Sequence, residues 1–396
     1  MSFRCIAQAF LPIAIFVSVT GCGSSDNKPS EKEVAQKRWA AARSGVMVTL
    51  AKDQYRNGDL DRARTTVDDA LRLSPENPQA RLVSARLYIE KSQLESAERE
   101  LIAARAITPN DGEAYYLSGI VMQRWQKNDK ALENYKIACE KSPAELAYVL
   151  AVAESLVSLD RANEALELLQ SKADYFEHSG TIRDAIGQLY MQQGKYAEAA
   201  RNFRQATVLA EDEPAIKERL AMALFKAGQH RETADVLSKL VALETFAKRA
   251  DLWAMLGECQ VILGRARDAR YSYESASRLD EFSPSIWRGL GRAALESGDL
   301  QRAELAFKKS LRFDDERPET HLLLGYLFTR QNKFDEALQA FLAASKLDPK
   351  DTVALCMVGY VYEKSGKPEL AAKYYARALQ IRPSDEMARK LMAGVE

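Results

Sequence analysis

The chain has 396 residues, and its 56 lysines and arginines are balanced by 56 aspartates and glutamates. A neutral chain gives no electrostatic reason to expect nucleic acid as a partner. A length of 396 residues ordinarily implies two or more domains.

Residues 1–22 read MSFRCIAQAFLPIAIFVSVTGC. Arg4 gives a positive start, and an apolar stretch runs from Cys5 to Val19, broken only by Gln8 and Pro12. This is shorter than the ~20 residues a stable membrane-spanning helix needs, so the segment is expected to be a secretory signal. Val19-Thr20-Gly21-Cys22 resembles the bacterial lipobox. That resemblance implies cleavage after Gly21 and lipidation of Cys22 on its thiol and amine. Several acyl chains anchor firmly because each buried methylene contributes ~0.8 kcal/mol, whereas one chain is marginal. In enteric-type sorting an Asp after the cysteine would favour the inner membrane; Gly23 stands there, which favours the outer. An uncleaved anchor, or an ordinary leader with a chance cysteine, is the alternative.

Residues 23–43 carry a polar tether and the start of the first helix. GSSDNKPS, residues 23–30, spans roughly 15 Å as a flexible chain. Ser30 with Glu33 fits a capping box, which places a helix start near Glu31.

From there small residues recur at a step of 34: Ala51, Ala85, Gly119, Ala153, Gly187 and Ala221, then, after a slip of two, Gly257, Gly291, Gly325 and Gly359. A second set runs twelve residues further on, from Ala63 and Ala97 to Ala337 and Ala371. A period of this length predicts stacked helix–turn–helix units. Ten units are expected over 44–385, with Lys248 and Arg249 between the sixth and seventh. A bulky residue such as Leu101, Phe307 or Tyr375 follows each second small residue, to fill the groove of a neighbour. Gly58, Gly194, Gly228, Gly264, Gly298 and Gly366 mark turns between paired helices, and Pro75, Pro109, Pro143, Pro349 and Pro383 end second helices.

The unit 318–351 carries Leu324, Gly325, Phe328, Ala337, Phe341, Ala344 and Pro349 in the order of the tetratricopeptide repeat, and the chain resembles that family over 44–385. The resemblance implies an all-α fold: a right-handed superhelical solenoid of about ten repeats, which escapes the usual domain arithmetic because each unit touches only its neighbours. Met387, Leu391 and Met392 predict a capping helix over 386–396. Two units depart from the pattern. Unit 146–179 has Lys172 where Ala is expected, and unit 214–247 has Thr233 and Leu240 before the slip. A local change in stacking is expected near 245–250, the alternative being absorption by small shifts.

Reaction chemistry is not indicated. His178, His230 and His321 fall in three units, without a metal-binding frame, so no metal or cofactor is expected. Cys139, Cys259 and Cys356 lie in distant units, beyond the ~7 Å a disulfide allows, and read as buried apolar thiols. An enzyme is therefore not expected.

In the tetratricopeptide repeat family the first helix of each unit lines the concave face. Carried over, the lining positions give Arg288, Arg292, Leu322, Tyr326, Arg330, Tyr360 and Lys364 near the C-terminus. This is an expected cationic and aromatic strip, suited to acidic or aromatic side chains of an extended peptide. Near the N-terminus the same positions give Arg86, Ile89, Tyr116, Ile120 and Arg124, and Asp184, Glu218, Asp251 and Glu258 make the middle acidic. The alternative for each is a solvated side chain without a dedicated ligand. The expected function is a lipid-anchored scaffold in a bacterial cell envelope, facing the periplasm and binding protein or peptide partners of a pilus, secretion or polysaccharide-export machine. An adaptor for an envelope protease or peptidoglycan hydrolase is the alternative, and a cytoplasmic regulator with a misread start is another.

Overall fold

The computed structural model describes residues 30–395, and every regular element among them is α-helical. The leader, Cys22 and most of the tether lie outside the described residues. The chain forms two compact units that divide between Ser142 and Pro143.

The first unit contains α1 (Glu31–Arg56), α2 (Leu60–Leu73), α3 (Pro78–Glu90), α4 (Leu94–Ile107), α5 (Gly112–Arg124) and α6 (Asn128–Lys141). The second contains α7 (Leu146–Ser158), α8 (Ala162–Lys172), α9 (Gly180–Gln192), α10 (Tyr196–Leu209), α11 (Pro214–Lys226), α12 (His230–Leu240) and the short α13 (Glu244–Ala247). It continues with α14 (Ala250–Ile262), α15 (Ala266–Leu279), α16 (Pro284–Glu296), α17 (Leu300–Phe313), α18 (Pro318–Arg330), α19 (Phe334–Leu347), α20 (Thr352–Lys364), α21 (Pro368–Ile381) and α22 (Glu386–Ala393). Within each unit consecutive helices pair as hairpins, and the second helix of one hairpin packs on the first helix of the next.

Helix ends follow local chemistry. Ser30 and Glu33 form the capping box of α1, with Ser30 N donating to Glu33 Oε2 at 2.8 Å and Glu33 N donating to Ser30 Oγ at 3.3 Å. The chain reverses through a left-handed residue inside every hairpin. Six of these are glycines, with φ from 71° at Gly194 to 84° at Gly298. Ser92, Gln126, Asp160 and Asn332 hold the same position in the other four, at φ of 56° to 60°.

The packing inside a hairpin obeys one rule. Wherever the first helix carries glycine at the small position, an aromatic ring from the second helix, sixteen residues on, fills the space: Gly119 with Tyr135, Gly187 with Phe203, Gly257 with Tyr273, Gly291 with Phe307, Gly325 with Phe341 and Gly359 with Tyr375. A β-carbon on any of these glycines would come within 2.4–2.8 Å of the ring. Wherever the small residue is alanine, the partner is aliphatic: Ala51 with Val67, Ala85 with Leu101, Ala153 with Leu169 and Ala221 with Leu237. Val67, Leu101, Phe203, Phe307, Phe341 and Tyr375 are fully buried. Each such side chain contributes about 1.5–3 kcal/mol by leaving water.

Most second helices have 14 residues, but α8 and α12 have 11. They stop at Lys172 and Leu240, the two positions where a large residue replaces the third small one. Both helices end at these residues: after α8 Ala173 is buried while Lys172 is not, whereas after α12 Leu240 and Val241 are both buried in the core. After α12 the two extra residues are taken up around α13. Trp253 Nε1 donates to Ala247 O at 2.9 Å, and Arg249 Nη2 donates to Glu218 Oε1 in α11 at 2.9 Å and Asp251 Oδ2 in α14 at 2.7 Å. At the C-terminus α22 packs on α20 and α21, burying Ala388 beside Leu355, Cys356 and Ala378.

Candidate binding groove

First helices of neighbouring hairpins in the second unit touch: α14 meets α16, and α16 meets α18. Equivalent residues therefore align at the 34-residue step. Asp251, Ala254, Met255 and Glu258 of α14, Ser285, Arg288, Gly289 and Arg292 of α16, and Glu319, Leu322, Leu323 and Tyr326 of α18 line a cavity of about 800 Å³. Ala254 and Gly289 keep it hollow.

The groove brings together four residues of the expected cationic and aromatic strip, Arg288, Arg292, Leu322 and Tyr326, with Asp251 and Glu258 of the expected acidic middle. Arg288 is half-buried and has no hydrogen bond or ion pair among the described residues. Arg292 Nε donates to Glu296 Oε1 at 3.1 Å in an exposed pair one helical turn apart, which holds it weakly. Tyr326 stands edge-on to Phe341 with centroids 5.4 Å apart. Burial, then the charge of Asp351, raises its phenol pKa, so the ring presents a neutral hydroxyl.

The remaining strip residues lie elsewhere. Arg330 Nη1 donates to Leu295 O at 2.9 Å, so it closes the last turn of α16 instead of lining the groove. Lys364 Nζ lies 5.4 Å from the centroid of the Tyr360 ring on its own helix. In the first unit, Arg124 Nη1 donates to Ile89 O in the same way as Arg330. Arg86 Nη2 donates to Glu113 Oε1 at 2.9 Å, beside a smaller cavity of about 270 Å³ that Lys52 and Tyr55 also line. Tyr116 is half-buried, its ring 5.7 Å from that of Tyr135. Ile89, at 4% exposure, belongs to the core.

The expected acidic middle is largely neutralised. Arg219 grips Asp184 through two hydrogen bonds of 2.7 and 2.8 Å, and Arg249 holds Glu218 and Asp251. Side-chain hydrogen bonding to Arg249 lowers the carboxyl pKa of Asp251. Glu258 and Glu319 have no ion-pair partner among the described residues and flank the arginines of α16.

Among the described residues no group of three or more His, Cys, Asp or Glu is placed to hold a metal. Burial pushes the Cys259 thiol up to about 12 and the Cys356 thiol up to about 11, so both are inert as nucleophiles near neutral pH. Cys139 is half-buried. Sequence reasoning missed Met255, Gly289 and Tyr273 as groove residues. The available signal was Gly289, a glycine in mid-helix outside the repeating set.

Comparisons with known proteins fit this architecture. Two tetratricopeptide repeat families match residues 54–119 and 182–213, and the family described as the C-terminal domain of cilia and flagella-associated protein 70 matches 210–396. The chain belongs to the tetratricopeptide repeat family, whose fold is a scaffold for binding protein and peptide partners. It is 24% identical over 203 residues to cellulose synthase operon protein C of Pseudomonas fluorescens (strain SBW25), covering 48% of this chain and 16% of that protein. It is 24% identical over 240 residues to the BBSome complex member BBS4 of Bos taurus, covering 60% of this chain and 39% of that one. The chain thus spans well under half the length of the curated relatives it matches. The solved C-terminal part of a repeat protein from Cytophaga hutchinsonii aligns at 18% identity with a TM-score of 0.49, covering 61% of this chain and 98% of that chain.

Proposed function

We propose that the protein is a lipid-anchored scaffold of a bacterial cell envelope, tethered through Cys22, facing the periplasm with the outer membrane favoured. It grips an extended segment of a partner in the groove of α14, α16 and α18. The groove carries the binding part of this reading. Three aligned helices leave a guanidinium, Arg288, without an internal partner beside a hollow made by Ala254 and Gly289. The anchoring part rests on the apolar leader that ends in Val19-Thr20-Gly21-Cys22. Among the described residues no helix is long and apolar enough to cross a membrane. The likeness to a bacterial cellulose synthase operon protein accords with an export machine. The likeness to a subunit of a bovine complex is of the same degree, so what the two relatives share with this chain is the repeat.

Fractionation of cells carrying Cys22→Ala tests the anchor: the variant is expected in the soluble fraction, and sedimentation with the membrane overturns the lipid reading. A photo-crosslinker placed at Leu322 tests the partner in the native envelope. Subunits of a secretion, pilus or export channel support the scaffold reading, whereas a protease or peptidoglycan hydrolase supports the adaptor. Protection of the chain from protease added to spheroplasts places it in the cytoplasm and removes both.

A further inference from the structure

Three hairpins carry tyrosine at the aromatic position that packs on glycine: Tyr135, Tyr273 and Tyr375. A buried phenol needs a hydrogen-bond partner. Tyr135 Oη donates to Gln123 Oε1 at 2.9 Å, and Tyr375 Oη donates to Glu363 Oε2 at 3.0 Å. Each acceptor stands twelve residues earlier, in the first helix of the same hairpin. The equivalent residue for Tyr273 is Val261, which cannot accept. Tyr273 is 7% exposed, and its hydroxyl has no partner among the described residues.

Its position is equally specific. The hydroxyl lies over Gly289, where a β-carbon would come 2.8 Å from Oη and 2.3 Å from Cζ. The equivalents of Gly289 are Met255 and Leu323, so the side chain is missing only where the hydroxyl stands. A lost acceptor and a lost side chain thus coincide on the floor of the groove, beside Arg288 and Arg292. Burial, then the charge of Glu258, holds the phenol above its ordinary pKa, so it remains a donor at neutral pH.

We infer that Tyr273, Gly289 and Arg288 form a carboxylate subsite for an acidic residue of an extended peptide. The inference rests on the groove being the peptide-binding face. The carboxylate lies across Gly289, accepts from Tyr273 Oη and pairs with the Arg288 guanidinium, with Arg292 alongside. The groove as a whole does not favour anions, because Glu258 on α14 and Glu319 on α18 are unpaired. The acidic residue is therefore accompanied by lysine or arginine that meets those flanking carboxylates. The occupant is a mixed-charge segment, with its acidic residue over α16.

A display library of random twelve-residue peptides selected on the folded chain tests this. Enriched peptides are expected to pair an Asp or Glu with nearby Lys or Arg. For one such peptide, Tyr273→Phe is expected to weaken binding about tenfold, the low end of the worth of one hydrogen bond to a charged acceptor, and Arg288→Gln by about tenfold or more. Neither variant weakens the same peptide once its acid is replaced by the amide. Val261→Gln restores the internal acceptor seen at Gln123 and weakens the acidic peptide as well. Tyr273→Phe keeps the ring on Gly257 and Gly289, and an unchanged melting curve certifies the fold. Peptides that bind the wild type and both variants equally overturn the subsite while leaving the scaffold reading standing. Enrichment of no peptide overturns both.

Discussion

Phe341 leaves no room for a side chain at residue 325: a β-carbon on Gly325 would meet Phe341 Cε1 at 2.6 Å. The two residues are a matched pair, and the chain holds ten such pairs, glycine with aromatic or alanine with aliphatic. Gly325→Ala is expected to destabilise the second unit by about 1–3 kcal/mol through overpacking. Phe341→Leu alone costs about 1 kcal/mol or more through lost burial. Together they recreate the pairing of Ala85 with Leu101, so the double variant costs less than the sum by about 1 kcal/mol. Urea unfolding gives the energies, and hydrogen exchange in α18 and α19 assigns them. Additive losses would refute the pairing rule.

The left-handed turn residues make a second test. Gln126 adopts φ of 59°, where a side chain is strained by about 1–2 kcal/mol. Gln126→Gly is expected to raise stability by up to about 1 kcal/mol after the entropy cost of glycine. Gly194→Ala, at φ of 71°, is expected to lower it by about as much. Thermal melts of the two variants should move in opposite directions.

Arg330 and Arg288 should separate cleanly. Arg330 satisfies Leu295 O, a carbonyl at the end of α16. Arg330→Ala is expected to cost about 1.5 kcal/mol of stability and to leave peptide affinity within about twofold. Arg288→Ala is expected to reverse the pattern, since no internal partner is lost. Paired unfolding and anisotropy measurements distinguish them, and a peptide-affinity loss on Arg330→Ala would return that residue to the groove.

Acid should loosen the C-terminal helix first. Thr352 Oγ1 donates to Asp385 Oδ2 at 2.6 Å and Ala388 N donates to Asp385 Oδ1 at 3.0 Å. The hydroxyl, then the backbone amide, lowers the Asp385 pKa from its ordinary value of 3.8. A carboxyl with a depressed folded pKa stabilises the fold above its unfolded pKa, and this stability is lost as pH falls through the folded value. Protection of the α22 amides, after allowing for their intrinsic exchange rate, is therefore expected to fall below pH 3.8. Asp385→Ala removes that dependence and costs about 1 kcal/mol at neutral pH through the lost cap.

Much of the helical plan was legible because it repeats: one glycine is ambiguous, but small residues at a constant step fix the phase of the helices around them. Lys172 and Leu240 also announced themselves, as large residues in a small-residue set, although their shortening of α8 and α12 appears only in the structure. The groove was half legible. Helical phase places Arg288 and Arg330 on the same face, but a long side chain at the end of a helix reaches the neighbouring carbonyl, and phase says nothing of that. Ser92 and Gln126 gave no compositional hint of left-handed backbone, whereas Asp160 and Asn332 are residue types that tolerate it. The open hydroxyl of Tyr273 was hidden because it depends on Val261 failing to be Gln or Glu.

Both members of each glycine–aromatic or alanine–aliphatic pair belong to one hairpin. A whole hairpin can accordingly be duplicated, deleted or transplanted with its internal fit intact, whereas a crossover between the two helices of unlike hairpins sets alanine against a ring or glycine against an unfilled void. Chimeras of this protein should tolerate junctions between hairpins and fail at junctions inside hairpins of unlike pairing, so the lock and its key travel as a single cassette.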